Sequence, residues 1–304
     1  MKIKGIHSVP ALTIAILTLS CITRFADIGR LSGASDPMLT VTVLQIIIIG
    51  IPSVFFCLLK GQDYGRELRL KLIPLKHLTL TVYALALTIF GSMALSLLLY
   101  KIFPAAFAAS SANSYTGFAA SQSSGAIYAA LSLAIVPAVL EEFLCRGIIY
   151  SEYRSYGTFT AVFMSALIFA MLHTNFVRLP IYLFTGTILA LVANTSKSVF
   201  ASMLVHCAHN VFVLFLEPYI YKIAAKSGGG IMLMVFTVVT LLLIFALLFF
   251  AKCEMLYTER AYSGEKAPLV RRKKDGELPH FLQAISSPTF IILAFFFIIL
   301  SVVN

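Results

Sequence analysis

The sequence predicts an all-α, polytopic transmembrane helical bundle of about eight to nine spans, and three observations carry that expectation. Of the 304 residues, 60% are hydrophobic and 12% charged, whereas soluble domains run near a quarter charged; the mean hydropathy is +0.94. Apolar stretches that approach the roughly 30 Å hydrocarbon thickness of a bilayer recur along the whole chain. The 23 Lys and Arg outnumber the 13 Asp and Glu, and they cluster in the short segments between those stretches. That placement follows the positive-inside pattern of membrane proteins and excludes a nucleic-acid-binding face.

The first stretch, 8–26, follows Met-Lys-Ile-Lys as a signal peptide would, but it lacks a clear small-residue cleavage site and reads as an uncleaved span interrupted near its end by Arg24 and Asp27. The second, 38–59, and third, 78–102, flank a basic connection carrying Lys60, Arg66, Arg69, Lys71 and Lys76. An uncharged Ala- and Ser-rich connection, 104–124, leads to the fourth, 125–150, which is almost free of charge until Glu141, Glu142 and Arg146. The fifth, 159–176, carries His173; the sixth, 179–194, is short; the seventh, 197–217, carries His206, His209 and Asn210. Gly228, Gly229 and Gly230 lead into the eighth, 230–251, and a ninth, 289–303, is an extra C-terminal span short enough to be tilted or re-entrant.

The polar stretch 252–288 contains Arg271, Arg272, Lys273 and Lys274 and is expected to be a solvated basic loop against anionic headgroups. An N-terminus inside puts both basic segments in the cytoplasm and 104–124 outside, with Lys222 and Lys226 running against the rule. The chain is one membrane domain whose chemistry lies within 125–217. Five cysteines, Cys21, Cys57, Cys145, Cys207 and Cys253, show no Cys-x-x-Cys spacing and form neither a disulfide framework nor a thiolate zinc site. They read as buried packing residues.

An ionisable residue inside a membrane helix costs at least ~2.5–3.5 kcal/mol and marks function. Glu142 and Arg146 are four apart, share a helix face and form an ion pair; Glu141 lies about 100° round and stays available to other helices. Pro137, one turn earlier, cannot donate its N–H and opens space beside the carboxylate. His206 and Asn210 share a face, His209 partly shares it, and Phe169 packs under His173 from one turn before. A carboxylate and two imidazoles activate water in one of two ways. Glu141, His173 and His206 hold Zn²⁺, which acidifies a bound water, or a glutamate is the general base for a hydrogen-bonded water. No His-Glu-x-x-His is present to decide for metal.

Glu141-Glu142-x-x-x-Arg146, Phe169-x-x-x-His173 and His206-x-x-x-Asn210, in that order on successive spans, resemble the CPBP family of CAAX prenyl proteases and bacteriocin-processing or abortive-infection-like membrane proteases. The resemblance covers roughly 125–217. It implies an intramembrane endopeptidase acting on a membrane-associated peptide or protein in a bacterial plasma membrane. By that resemblance Glu141 activates water, His173 and His206 position it or bind zinc, and Asn210 helps to stabilise the oxyanion. Two other classes stand beside it: a transporter or channel with a Glu/His/Arg relay, and a non-catalytic peptide-binding immunity or scaffold protein.

Overall fold

A computed structural model describes residues 5–25, 37–112, 125–226, 230–262 and 278–303. The architecture is all-α, with twelve helices and no strand among the described residues. They are α1 (Gly5–Phe25), α2 (Met38–Lys60), α3 (Leu78–Ile102), α4 (Pro104–Ala112), α5 (Ala126–Tyr156), α6 (Thr158–Leu172), α7 (Leu179–Ser196), α8 (Val199–Phe215), α9 (Glu217–Lys226), α10 (Gly230–Tyr262), α11 (Leu278–Ile285) and α12 (Pro288–Val303).

Among the described residues, six segments are long and apolar enough to cross a bilayer: Gly5–Thr23, Met38–Lys60, Leu75–Ile102, Ala126–Tyr156, Leu179–Ser196 and Gly230–Arg260. Two further pairs, α8 with α9 and α11 with α12, bend by 41° and 57° and bring the number to eight if each is one span. Both breaks have a local cause: Pro218 and Pro288 lack the N–H that would continue the ladder of the preceding helix. The protein is an integral membrane protein.

Three stretches differ from the sequence reading. The fifth is only the 15-residue α6; it stops because His173 caps it and Thr174 turns to a left-handed φ of 46°, so His173 lies at a helix end instead of inside a span. The sixth is a full 18-residue helix, opened by Pro180 in its first turn and closed by Lys197 at φ 56°. The segment 252–288 is helical at both ends, because α10 continues to Tyr262 and α11 begins at Leu278. Residues 263–277, with Lys266 and Arg271–Lys274, lie outside the described residues, as do Asp27, 113–124 and Gly228–Gly229.

One core joins α1, α5, α6 and α12 through Ile16, Leu144, Ile148, Ile168 and Leu293. A second joins α3, α7, α8 and α10 through Leu80, Leu87, Leu189, Val205 and Phe249. α5, α6, α7 and α8 are therefore packed from both sides, and the candidate site lies among them. Where α3 meets α7, Gly91 leaves room for the Phe184 ring: a Cβ there would come within 2.1 Å of Phe184 Cε1. That close approach holds α7, and with it the Arg146 acceptor described below, against the bundle.

Candidate active site

α5 is not a regular α-helix. A regular stretch, Val136–Glu142, lies between π-helical turns at Leu131–Ile135 and Phe143–Ile149. Pro137 stands at the start of the regular stretch, so the expected kink takes the form of a wide turn that absorbs the missing donor. Such π-turns recur at functional sites. Here they bracket the two glutamates.

Glu142 and Arg146 are fully buried. Arg146 Nη1 donates to Glu142 Oε1 at 2.6 Å, and Nη2 donates to the Gly186 carbonyl of α7 at 2.7 Å. The guanidinium carbon also stands 4.8 Å from the centre of the Phe169 ring. Gly186 is required for this meeting: a Cβ would lie 3.0 Å from Phe169 Cδ1 and 3.1 Å from Ala166 Cα. The i to i+4 pair expected from the sequence is present.

The same Glu142 oxygen accepts from His206 Nδ1 of α8 at 3.0 Å. A carboxylate paired with arginine accepts only, so Nδ1 carries the hydrogen, and a neutral His206 presents an unprotonated Nε2. That Nε2 stands 3.9 Å from Glu141 Oε2. Glu141 is the less enclosed of the two carboxylates, its side chain 17% exposed against none for Glu142. The division of the two glutamates between a closed and an open environment follows from their angular offset on one helix.

His173 is oriented independently. Its Nδ1 lies 2.9 Å from the Phe169 carbonyl; a carbonyl only accepts, so this nitrogen also holds the hydrogen and Nε2 is left as an acceptor. Its ring stacks on Tyr182 at 3.8 Å and 19°. Phe169 touches both imidazoles edge-on, at 4.9 Å from His173 and 5.5 Å from His206. Phe169 is thus a shelf between two histidines that come from different helices. Asn210 Nδ2 approaches the Ala134 carbonyl at 3.4 Å, beside the first π-turn. His209 is turned away: its Nε2 meets Ser92 Oγ of α3 at 3.1 Å.

Three contacts have no counterpart in the sequence reading: His206 with Glu142, Tyr182 with His173, and the Gly186 carbonyl with Arg146. The first two join residues on different helices and leave no local signal. A glycine in the middle of a helical run, Thr-Gly-Thr at 185–187, does point to close packing.

The zinc expectation meets this geometry directly. Among the described residues, no three His, Cys, Asp or Glu side chains are gathered closely enough to hold an ion. Two ligands of one tetrahedral zinc, each at roughly 2.0–2.2 Å from it, lie about 3.4 Å apart; His206 Nε2 and Glu141 Oε2 are 3.9 Å apart. As placed, the residues do not form a three-ligand zinc centre. The spacing is one that a single water spans with ordinary hydrogen bonds to both atoms.

The family of type II CAAX prenyl endopeptidases described as Rce1-like matches residues 123–212, the segment that supplies every side chain of this site. The membrane-embedded CAAX protease MroQ of Staphylococcus aureus (strain USA300) is 28% identical over 109 residues, 33% of this chain and 44% of that protein. The chain therefore spans less than half the length of the curated relative it matches. No solved structure matches it.

Proposed function

We propose that this chain, whose residues 123–212 match the Rce1-like family of type II CAAX prenyl endopeptidases, is a CPBP-type endopeptidase that hydrolyses a peptide bond of a membrane-associated peptide or protein. The observation that supports this reading best is the 3.9 Å gap between Glu141 Oε2 and His206 Nε2. Two acceptors facing one another at that distance are a cradle for a water, which can donate one O–H to each.

Glu141 takes a proton from that water as its oxygen forms the new bond to the substrate carbonyl carbon. The carbonyl electrons move onto oxygen, where the Asn210 amide donates to the developing charge. Collapse of this intermediate breaks the C–N bond, and Glu141 returns the proton to the departing amine. His206 is kept in the accepting tautomer by Glu142, and Glu142 is kept ionised by Arg146. His173 Nε2, its ring fixed by Phe169 and Tyr182, is a second acceptor that orients the water or a substrate N–H. The reaction releases two shortened peptides and consumes one water.

A zinc-dependent version of the same site is supported by one feature: a carboxylate on the far ring nitrogen, as on His206, is how metal-binding histidines are commonly oriented. It requires Glu141, His173 and His206 to close onto one ion. Elemental analysis of active, purified protein separates the two versions, because full turnover with far less than one metal per chain eliminates zinc. For the protease reading itself, membranes of cells expressing wild-type protein or Glu141→Gln are compared by peptide mass spectrometry. New peptide termini that appear only with wild type support the reading; identical termini overturn it. The N-terminus is proposed to face the cytoplasm of a bacterium, on the strength of the Lys and Arg asymmetry.

A further inference from the structure

Cationic side chains gather where α3 begins and α7 and α10 end, beside the C-terminal part of α5. Arg69, in the connection between α2 and α3, is held at a left-handed φ of 53°, and its carbonyl accepts from Val199 N at 3.1 Å. Its guanidinium lies 5.3 Å from the centre of the Tyr150 ring. Arg69 is only 8% exposed, yet its Nη1 has no hydrogen-bond partner among the described residues. The Tyr150 hydroxyl donates to Asn194 Oδ1 at 2.7 Å, and the carbonyl of the next residue, Thr195, accepts from Arg260 Nη2. Two guanidinium groups are thereby brought to one turn of α7.

Most of the neighbouring charged groups are cationic, with Glu259 as the exception. Glu259, beside Arg260, pairs with Lys76 at 2.9 Å. Next to Lys76, His77 is 3% exposed, and neither of its ring nitrogens has a partner among the described residues. Arg260, Lys76 and Lys252 act on His77 electrostatically, with Glu259 opposing them. Burial pulls the Arg69 guanidinium below its ordinary pKa; Tyr150 opposes this, and Arg154 and Arg260 add to it. Buried donors left unfilled cost about 1–3 kcal/mol each, more when charged, so a cluster of this kind is completed by an anion. On the same connection as Arg69, Leu70, Leu72 and Leu75 are exposed, apolar surface that follows the buried guanidinium in the chain.

We propose that this cluster binds a phosphate group, with Arg69 as its buried donor and Arg260, anchored on the Thr195 carbonyl, beside it, and that the exposed leucines make an anionic phospholipid the carrier of that phosphate. A guanidinium suits the role because its planar fork meets two phosphate oxygens at once. The leucines enter the acyl region while the headgroup reaches the arginines. Lys252 adds long-range attraction of the kind that draws basic segments to anionic leaflets, whereas Lys76 is neutralised by Glu259.

The test is native mass spectrometry of the full-length, delipidated protein with phosphatidylglycerol, phosphatidylcholine or inorganic phosphate added in turn. One phosphatidylglycerol per chain is expected, held about tenfold more tightly than phosphatidylcholine, with that preference lost in Arg69→Gln. Thermal unfolding identifies a variant that fails to fold; Arg260→Gln, anchored on the same turn of α7, then carries the test and is expected to weaken phosphatidylglycerol about fivefold. Saturation by inorganic phosphate alone would keep the phosphate site and overturn the lipid as its occupant. Equal retention of both lipids, or unchanged retention in both variants, would overturn the site.

Discussion

Replacing Glu142 with glutamine tests how the site is held together, because the change keeps the shape of the side chain and removes only its charge. One oxygen of Glu142 accepts from Arg146 at 2.6 Å and from His206 at 3.0 Å, and both glutamate and arginine are fully buried. Glutamine retains an acceptor, so the shape of the contacts survives, but the guanidinium is left without its counter-charge and faces only neutral groups, among them the Gly186 carbonyl and the Phe169 ring. Stranding one member of a buried pair costs about 3–5 kcal/mol. Glu142→Gln is therefore expected to destabilise the protein by about that amount, read from unfolding in mixed micelles. The double variant Glu142→Gln/Arg146→Met removes the stranded charge as well, and it should be destabilised by about 2–3 kcal/mol less than the sum of the single variants. The surviving folded fraction of Glu142→Gln should also lose about 10–100-fold in cleavage, the usual cost of removing a partner that orients a site histidine. Additive single-variant effects, or a Glu142→Gln protein within about 0.5 kcal/mol of wild type, would refute the reading of Glu142 as the anchor of both Arg146 and His206.

Gly186→Ala places a methyl 3.0 Å from Phe169 Cδ1 and 3.1 Å from Ala166 Cα; a loss of about 1–3 kcal/mol from overpacking is expected in the same unfolding assay. It should be accompanied by reduced cleavage, since Phe169 supports both imidazoles. His209→Ala removes a buried contact with Ser92 and should cost stability while leaving the pH profile and KM of cleavage as in wild type, whereas His206→Ala abolishes turnover. Labelling of single cysteines from outside the cell should modify position 113 and spare positions 70 and 268, as the charge asymmetry of the connections requires; modification of both 70 and 268 would invert the topology.

The fold class was legible because a bilayer leaves only a helix to satisfy every backbone N–H and C=O of a long apolar segment. Which segments are single spans was less so, since the bends at Pro218 and Pro288 interrupt stretches whose hydropathy runs on. Within the site, legibility followed the range of the interaction. The Glu142–Arg146 pair obeys the four-residue rule and can be read from one helix. The His206–Glu142 contact joins positions 64 residues apart and depends on how α5 and α8 pack, which no spacing encodes. The end of α6 at His173 rests on a left-handed Thr174, a residue type that seldom announces that conformation.

What ties the two levels together is the adjacency of the glutamates. Neighbours on a helix point about 100° apart, so the helix that buries Glu142 against Arg146 and His206 must turn Glu141 toward a different neighbour. His206 spans that angle: one ring nitrogen touches Glu142, and the other faces Glu141 across 3.9 Å. An imidazole holds its two nitrogens on either side of Cε1 in one rigid ring, so fixing the first fixes the second. In the proposed reaction the closed carboxylate therefore sets where the open one would meet a water, and a change that merely rotated His206 would open the gap to Glu141 without touching Glu141 itself.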